Sequence, residues 1–354
     1  MAEELRIVQV AGSAAGGVRG HVRELAAGLA ATDRVILAAP AETARPWLSG
    51  LRSTVVDITD RPRPQDSTVV AKLRTLGRRA DVVHAHGLRA GALAALALTG
   101  LTTPLVVTLH NLPVGGPAVQ ALAGGLERLV ARRAAAVLAV SGDIAERMRG
   151  IGATGVERAL VPAPRRTLGT IDRSEFVSAD QQLVVTLARL APQKGLDLLL
   201  ETAALLADRA PGARWLVAGD GPRRPELEQI AADEGLPVRF LGRREDALEL
   251  LAAADVVVST AQWEGQPLWL QEALTVSAPI VATDVGGTRE VTEHAARLVP
   301  YGDPDRLCTD IAAVLRKPAL AKSLRDAARE RASQLPDATD SLAQVQSIYR
   351  SVLA

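Results

Sequence analysis

At 354 residues the chain exceeds what one hydrophobic core ordinarily supports, so two domains of roughly 150 to 200 residues are expected. Its 41 basic and 40 acidic residues leave a net charge of +1, which argues against a dedicated nucleic-acid binder. Cys308 is the only cysteine, which excludes an internal disulfide and a cysteine metal cluster and fits a reducing compartment.

Hydrophobic residues make up 48%, mostly Ala, Leu and Val, and the weight of Ala, Arg and Leu points to a GC-rich bacterial genome. The charged start, Met-Ala-Glu-Glu-Leu-Arg, runs straight into a strand and does not read as a signal peptide, so a cytoplasmic location is expected. Residues 90–109 carry no charge, but Gly100, Thr102, Thr103 and Pro104 divide them into an Ala/Leu helix and a Val-rich strand. They read as soluble core rather than a membrane span.

In chain order, short β-rich runs alternate with helical patterns. Strands are expected at 5–11, 34–39, 54–58, 82–85, 105–109 and 136–140, with helices at 19–31, 66–79, 88–98, 117–133 and 142–149. Residues 160–162 end this half, and 163–180 read as a linker. The rhythm restarts with strands at 183–187, 214–218, 238–241, 255–259, 280–284 and 297–299. Helices are expected at 195–209, 222–234, 245–253, from Pro267 onward, at 303–316, 321–331 and 340–352. This alternation is that of two parallel, doubly wound α/β sheets. Ligands sit outside the carboxyl ends of such strands, so the loops 12–18, 110–116, 188–194, 219–223, 242–244, 259–267 and 284–288 should carry the chemistry.

Those loops hold suitable residues. Gly12-Ser-Ala-Ala-Gly16-Gly17 at a strand-to-helix turn lets backbone approach a phosphate, although the spacing is neither G-x-G-x-x-G nor a P-loop. His110 ends a strand, where a neutral imidazole can hydrogen-bond a substrate hydroxyl. His84 and His86 have strand spacing, but no third metal ligand is evident nearby in sequence, so no metal site is expected. Arg189 and Lys194 make a plausible diphosphate clamp. Gly219 sits in a turn bordering the same site, and Arg243 could meet a nucleobase. Glu264 lies in a loop, followed by Gly265, Gln266 and Pro267. Glu272 lies about a turn and a half into the helix that follows. The helix N-terminus suits an anion, which leaves the two carboxylates for neutral hydroxyls such as those of a sugar.

Taken together, in this order, the motifs resemble those of the retaining glycosyltransferases of family 4, which have the GT-B architecture. The resemblance covers nearly the whole chain. It is most specific in Arg189-Leu-Ala-Pro-Gln-Lys194-Gly195, Ala218-Gly-Asp-Gly-Pro222, the Glu-x7-Glu pair Glu264/Glu272, Thr283-Asp-Val-Gly-Gly287 and Gly302-Asp-Pro304. Gly16-Gly17 with His21, and Val83-His-Ala-His-Gly87, match less specifically. The resemblance implies two Rossmann-like domains facing a central cleft. Residues 1–165 would form the acceptor side and 166–339 the nucleotide-sugar side, with the helix at 340–354 packing back on the first.

The resemblance also implies roles. Arg189 and Lys194 would bind the donor diphosphate and Glu272 the ribose hydroxyls. Glu264, Gly265, Gln266 and Leu268 would hold the sugar and its phosphate. His110 would contact the sugar near the reacting carbon, Gly16 and Gly17 would close over the phosphates, and Arg243 would border the base, with Gly219 beside it. The expected activity is that of a hexosyltransferase (EC 2.4) in glycan or glycolipid biosynthesis. It would use a UDP- or GDP-type sugar, by front-face retaining substitution, with no cofactor and no metal. The competing readings are a GT-B relative such as a nucleotide-sugar epimerase, and a non-catalytic nucleotide-sugar-binding partner subunit. The chain departs from its relatives at Val161-Pro-Ala-Pro164 and at Gly265-Gln-Pro-Leu-Trp269, which bears on the acceptor and the sugar. Between residues 45 and 79, eight Lys and Arg face three acids, and Arg128, Arg132 and Arg133 add to them. Such a surface could meet anionic lipid, so peripheral contact with the inner face of the plasma membrane is an expectation beside a simply solvated one.

Overall fold

The computed structural model describes residues 4–13, 16–44, 51–59, 61–113 and 115–354. Arg45 and Asp60 of the basic stretch therefore lie outside the described residues. The chain divides into two compact units, Met1–Pro164 with Pro336–Ala354, and Arg165–Leu335.

The first unit is built on β1 (Arg6–Ala11), β2 (Arg34–Ala39), β3 (Arg52–Val55), β4 (Val82–His86), β5 (Leu105–Leu109), β6 (Ala136–Ala139) and β7 (Val156–Arg158). They form one parallel sheet in the order β3-β2-β1-β4-β5-β6-β7. Its helices are α1 (Gly16–Leu29), α2 (Ala41–Ala44), α3 (Asp66–Gly77), α4 (Leu88–Ala97), α5 (Pro117–Arg133) and α6 (Gly142–Gly150). Helices cover both faces of such a sheet, so its central strands are buried throughout. That is why β4 and β5 read as unbroken apolar runs apart from their histidines and Thr108.

The second unit repeats the scheme with β8 (Gln182–Leu187), β9 (Ala213–Ala218), β10 (Val238–Gly242), β11 (Val256–Ser259), β12 (Ile280–Thr283) and β13 (Ala296–Val299), in the order β10-β9-β8-β11-β12-β13. Its helices are α7 (Leu196–Arg209), α8 (Arg224–Asp233), α9 (Ala247–Ala253), α10 (Leu268–Thr275), α11 (Thr288–Thr292), α12 (Pro304–Arg316) and α13 (Pro318–Gln334). Helix α12 shows why sequence becomes structure here. Asp303 caps its start, accepting from the Arg306 N–H at 2.9 Å, and Pro304 opens it. Leu307, Ile311, Val314 and Leu315 then share one buried face, each worth about 1.5–3 kcal/mol of apolar burial.

The final helix, α14 (Ala338–Leu353), belongs to the first unit, where it packs on α1. A capping box between Asp337 and Asp340 starts it. Gln344 ties it to the end of β7, accepting from the Leu160 N–H at 2.9 Å and donating to the Arg158 carbonyl at 2.7 Å. Tyr349 reaches the core.

Several expectations shift. Helix α1 begins at Gly16, so Gly16 and Gly17 lie in its first turn rather than in a loop before it. Strand β3 covers 52–55, not 54–58, and β7 at 156–158 is a short strand beyond those expected, just ahead of residues 160–162. The segment 163–180 is only in part a linker: Arg173–Glu175 forms a 3-10 turn, and Ile171, Phe176 and Val177 join the second core. Helix α10 begins at Leu268. Pro267 is its N-cap, with ψ at 92°, outside the helical range. Part of the basic surface is committed to structure. Arg74 donates to the Ala97 and Thr99 carbonyls, and Arg133 to those of Leu98, Leu101 and Thr103, taking up the orphan carbonyls at and beyond the end of α4.

Candidate functional site

In the second unit the expected residues gather at the carboxyl ends of β8, β9, β11 and β12, held by backbone hydrogen bonds between successive loops. Leu190 N donates to Asp220 O at 3.0 Å, Gly219 N to Gly242 O at 2.8 Å, Gln262 N to Gln193 O at 2.9 Å and Gly287 N to Glu264 O at 3.0 Å. Two glycines permit this closeness. A Cβ on Gly219 would stand 1.9 Å from Ala188 O, and one on Gly286 1.8 Å from Glu264 O; both residues also have positive φ. Gly286→Ala must therefore push the Glu264 loop away. The expected result is a loss on the order of 1–3 kcal/mol in thermal unfolding, with weaker nucleotide binding. An unchanged melting temperature would contradict the packing.

Glu264 is buried at 7% exposure. Lys194, at the end of the 3-10 turn Pro192–Lys194, places Nζ 2.5 Å from Glu264 Oε1. The sequence placed these two residues in one site but did not pair them. A buried carboxylate needs a compensating cation, and Lys194 supplies it. Arg189 and Arg243 are exposed and, among the described residues, make no ion pair. The N–H groups of Leu268 and Trp269 open α10 with no partner among the described residues. Gly265 is buried beside them, and Gln266 is partly exposed with its amide oxygen unpartnered. Glu272 is half-buried. Burial pushes its carboxyl above the usual range, and the Arg166 guanidinium partly offsets this. Arg166 was read only as linker; no local motif links it to Glu272.

In the first unit His110 follows β5 and is 7% exposed. It belongs to a cluster that the sequence did not anticipate. His21 from α1, His84 and His86 from β4, and His110 gather, with ring centroids 4.3 Å apart for His84–His86 and 5.8 Å for both His86–His110 and His21–His110. His84 and His86 thus have two further imidazoles near them in space, though none near them in sequence. Helix α1 and strand β5 bring the others, which spacing along β4 alone does not reveal. Among the described residues, no group of three has the arrangement of a metal site.

The cluster is held neutral. Burial lowers His21 from 6.5 to about 4 and His84 to about 3, and moves His86 and His110 well below the usual imidazole range, with neighbouring rings adding to it. An unfolded chain binds these protons near pH 6.5, whereas the folded unit does not. Between pH 6.5 and about 4 the unfolded state therefore holds more protons, and stability falls as pH falls. For His21 alone the gap amounts to about 3 kcal/mol. Thermal melts should show lower midpoints from pH 7 to pH 5, and His21→Gln should flatten that slope. Equal slopes for the two chains would refute the assignment.

Comparison with known proteins bears on these sites. Residues 16–164 match the family "Glycosyl transferase 4-like domain", and residues 170–331 match "Glycosyl transferases group 1". The alpha-D-kanosaminyltransferase of Streptomyces kanamyceticus is 28% identical over 319 residues, 79% of this chain and 78% of that protein. A GDP-mannose-dependent phosphatidylinositol monomannoside mannosyltransferase of Corynebacterium glutamicum is 30% identical, but over only 47% of this chain and 45% of its own length. The HepE protein of Anabaena, solved with UDP and glucose, superposes with a TM-score of 0.80 at 22% identity, covering 98% of this chain and 100% of that one. At that identity the likeness concerns the fold.

Proposed function

The chain belongs to the family 4 glycosyltransferases and has their GT-B fold, and from that premise we propose that it moves a hexosyl group from a UDP- or GDP-sugar to an acceptor hydroxyl with retention of configuration. The observation that carries this reading is the second unit's rim. There a neutralised carboxylate, Glu264 with Lys194, stands beside the open N-terminus of α10, while Arg189 remains uncommitted. Such a rim matches a ligand with a diphosphate at one end and hydroxyls at the other. The second unit is the donor side and the first the acceptor side.

When the glycosidic C–O bond breaks, negative charge develops on the β-phosphate. Arg189, Lys194 and the N–H groups of Gly265, Gln266 and Leu268 stabilise it, and no divalent metal is needed. The acceptor oxygen attacks the same face of the sugar, and its proton passes to the departing phosphate oxygen. Glu264 holds the sugar hydroxyls, Glu272 the ribose, and Arg243 borders the base near Gly219. Within the first unit, neutral His110 offers a hydrogen bond to a sugar hydroxyl, and the backbone at Gly16 and Gly17 offers N–H groups to a phosphate.

The test is a thermal-shift and turnover screen over UDP-, GDP- and ADP-sugars, with the product anomer read by NMR and the assay repeated in EDTA. Retention at undiminished rate in EDTA is expected. An inverted product would sink the front-face mechanism. Release of a free sugar epimer in the absence of acceptor would favour an epimerase. No helix among the described residues is long and apolar enough to cross a membrane. Contact with an anionic bilayer would run through the exposed Arg52, Arg61 and Arg63, and vesicle co-sedimentation with and without anionic lipid reads it.

A further inference from the structure

Inside the first unit a chain of hydrogen bonds runs from the last helix to the histidine cluster. His86 Nε2 lies 2.6 Å from Gln9 Oε1, Gln9 Nε2 lies 2.7 Å from Tyr349 Oη, Tyr349 Oη lies 2.8 Å from His84 Nδ1, and His84 Nε2 lies 2.7 Å from Thr108 Oγ1. All five side chains are buried. The bonds run diagonally across the strand register: β1 sets Gln9 beside His84 but Gln9 bonds His86, and β5 sets Thr108 beside His86 but Thr108 bonds His84.

The donors and acceptors fix the proton on His86. An amide oxygen only accepts, so the hydrogen between His86 and Gln9 sits on His86 Nε2. An amide nitrogen only donates, so Tyr349 accepts from Gln9. His84 meets two hydroxyls, Tyr349 Oη through Nδ1 and Thr108 Oγ1 through Nε2, and each hydroxyl can donate or accept. A neutral imidazole has one N–H, so His86 Nδ1 is left as a bare lone pair. That atom is buried and has no partner among the described residues, and the same is true of Nε2 on the stacked ring of His110. His86 is 4% exposed and His110 is 7% exposed. Two unmet buried nitrogens on neighbouring rings carry a desolvation cost that a bound partner would remove.

We propose that Tyr349 of the returning helix, acting through Gln9, locks His86 in the Nε2–H form, so that His86 Nδ1 and His110 Nε2 together receive one sugar hydroxyl. A hydroxyl is the complementary group because it donates one hydrogen, here to His86, and accepts another when His110 carries its own on Nε2. A carboxylate or phosphate has no proton to give Nδ1. Tyr349 is a positioning residue; it touches no substrate. The hydroxyl part rests on the glycosyl-transfer reading, and the tautomer part does not.

The experiment labels histidine with 15N in the full chain and reads each ring's tautomer by long-range 15N–1H correlation, without ligand. His86 is expected as Nε2–H. In Tyr349→Phe, Gln9 loses its acceptor and is free to turn, so His86 should shift toward a mixture. If Tyr349→Phe does not fold, Gln9→Leu cuts the same link. A wild-type His86 with hydrogen on Nδ1, or a tautomer unmoved by both substitutions, overturns the proposal whatever the enzyme turns over. Binding of UDP-glucose and GDP-mannose is then measured by calorimetry. Asn offers an oxygen near the place of Nδ1, so His86→Asn should bind within a few-fold of wild type, whereas His86→Leu should lose about tenfold. Equal binding by His86→Asn and His86→Leu overturns the hydroxyl contact. Failure of wild type to bind either nucleotide sugar strikes the donor assignment and the hydroxyl contact together, and the tautomer result then decides the lock alone.

Discussion

Lys194→Ala is expected to lower kcat/KM about 10³-fold and, separately, to destabilise the second unit. The two losses have different causes. Lys194 neutralises Glu264, whose side chain is 9% exposed, across 2.5 Å. Removing the cation leaves a buried charge uncompensated, which costs roughly 3 kcal/mol or more. The catalytic loss follows if the same ammonium also stabilises charge on the leaving β-phosphate, where one preorganised donor is worth about 10²–10³ in rate. The double variant Lys194→Ala/Glu264→Gln separates the roles, because it removes the buried charge along with its partner. It should recover most of the melting temperature and little of the turnover. Recovery of both would mean that Lys194 serves only to neutralise Glu264. Recovery of neither would mean that the pair organises the loop through more than charge. The pairing would also let a carboxylate tolerate the proposed diphosphate nearby, because Glu264 with Lys194 presents little net negative charge.

Much of this architecture is readable along the chain. Both parallel sheets follow from apolar runs separated by helical patterns, because strands buried on both faces leave no room for alternation. Short elements escaped where the local signal is weak. Strand β7 is three residues, Val-Glu-Arg, recruited by pairing with β6, and α11 is five residues whose packing depends on the Gly286 turn. In the second unit Lys194 and Glu264 were legible as site residues because they sit in loops after strands. Their ion pair was not legible, since it joins positions 70 residues apart through the β8–β11 neighbourhood. The histidine cluster shows the limit most clearly. His84 and His86 announce a shared strand face, but His21, Gln9 and Tyr349 reach it from α1, β1 and α14. No spacing rule connects residue 9 with residue 349.

Glu272→Ala should raise the apparent dissociation constant of the donor about 100-fold while moving kcat little. A carboxylate that accepts two ribose hydroxyls makes charge-assisted bonds worth about 1.5–3 kcal/mol each, and the ribose is held alike in ground and transition states. The pH dependence distinguishes this from a packing defect. Burial raises the Glu272 carboxyl above its usual range, with Arg166 opposing. As pH falls through that raised value the carboxylate takes up a proton and donor binding weakens, so the acid limb of binding begins above the normal glutamate range. Stability runs the other way. A group protonated more readily when folded costs stability once pH exceeds its unfolded value, and that cost becomes complete above the folded one. Glu272→Gln should therefore melt higher than wild type at neutral pH and equally in acid, while binding donor more weakly and without the acid limb. A 2′-deoxynucleotide closes the argument. It should bind more weakly than the ribonucleotide to wild type but about equally to Glu272→Ala, since the hydroxyl and the carboxylate are two ends of one interaction. Independent, additive losses would place the ribose elsewhere and leave Glu272 as an acid that the fold merely half-buries.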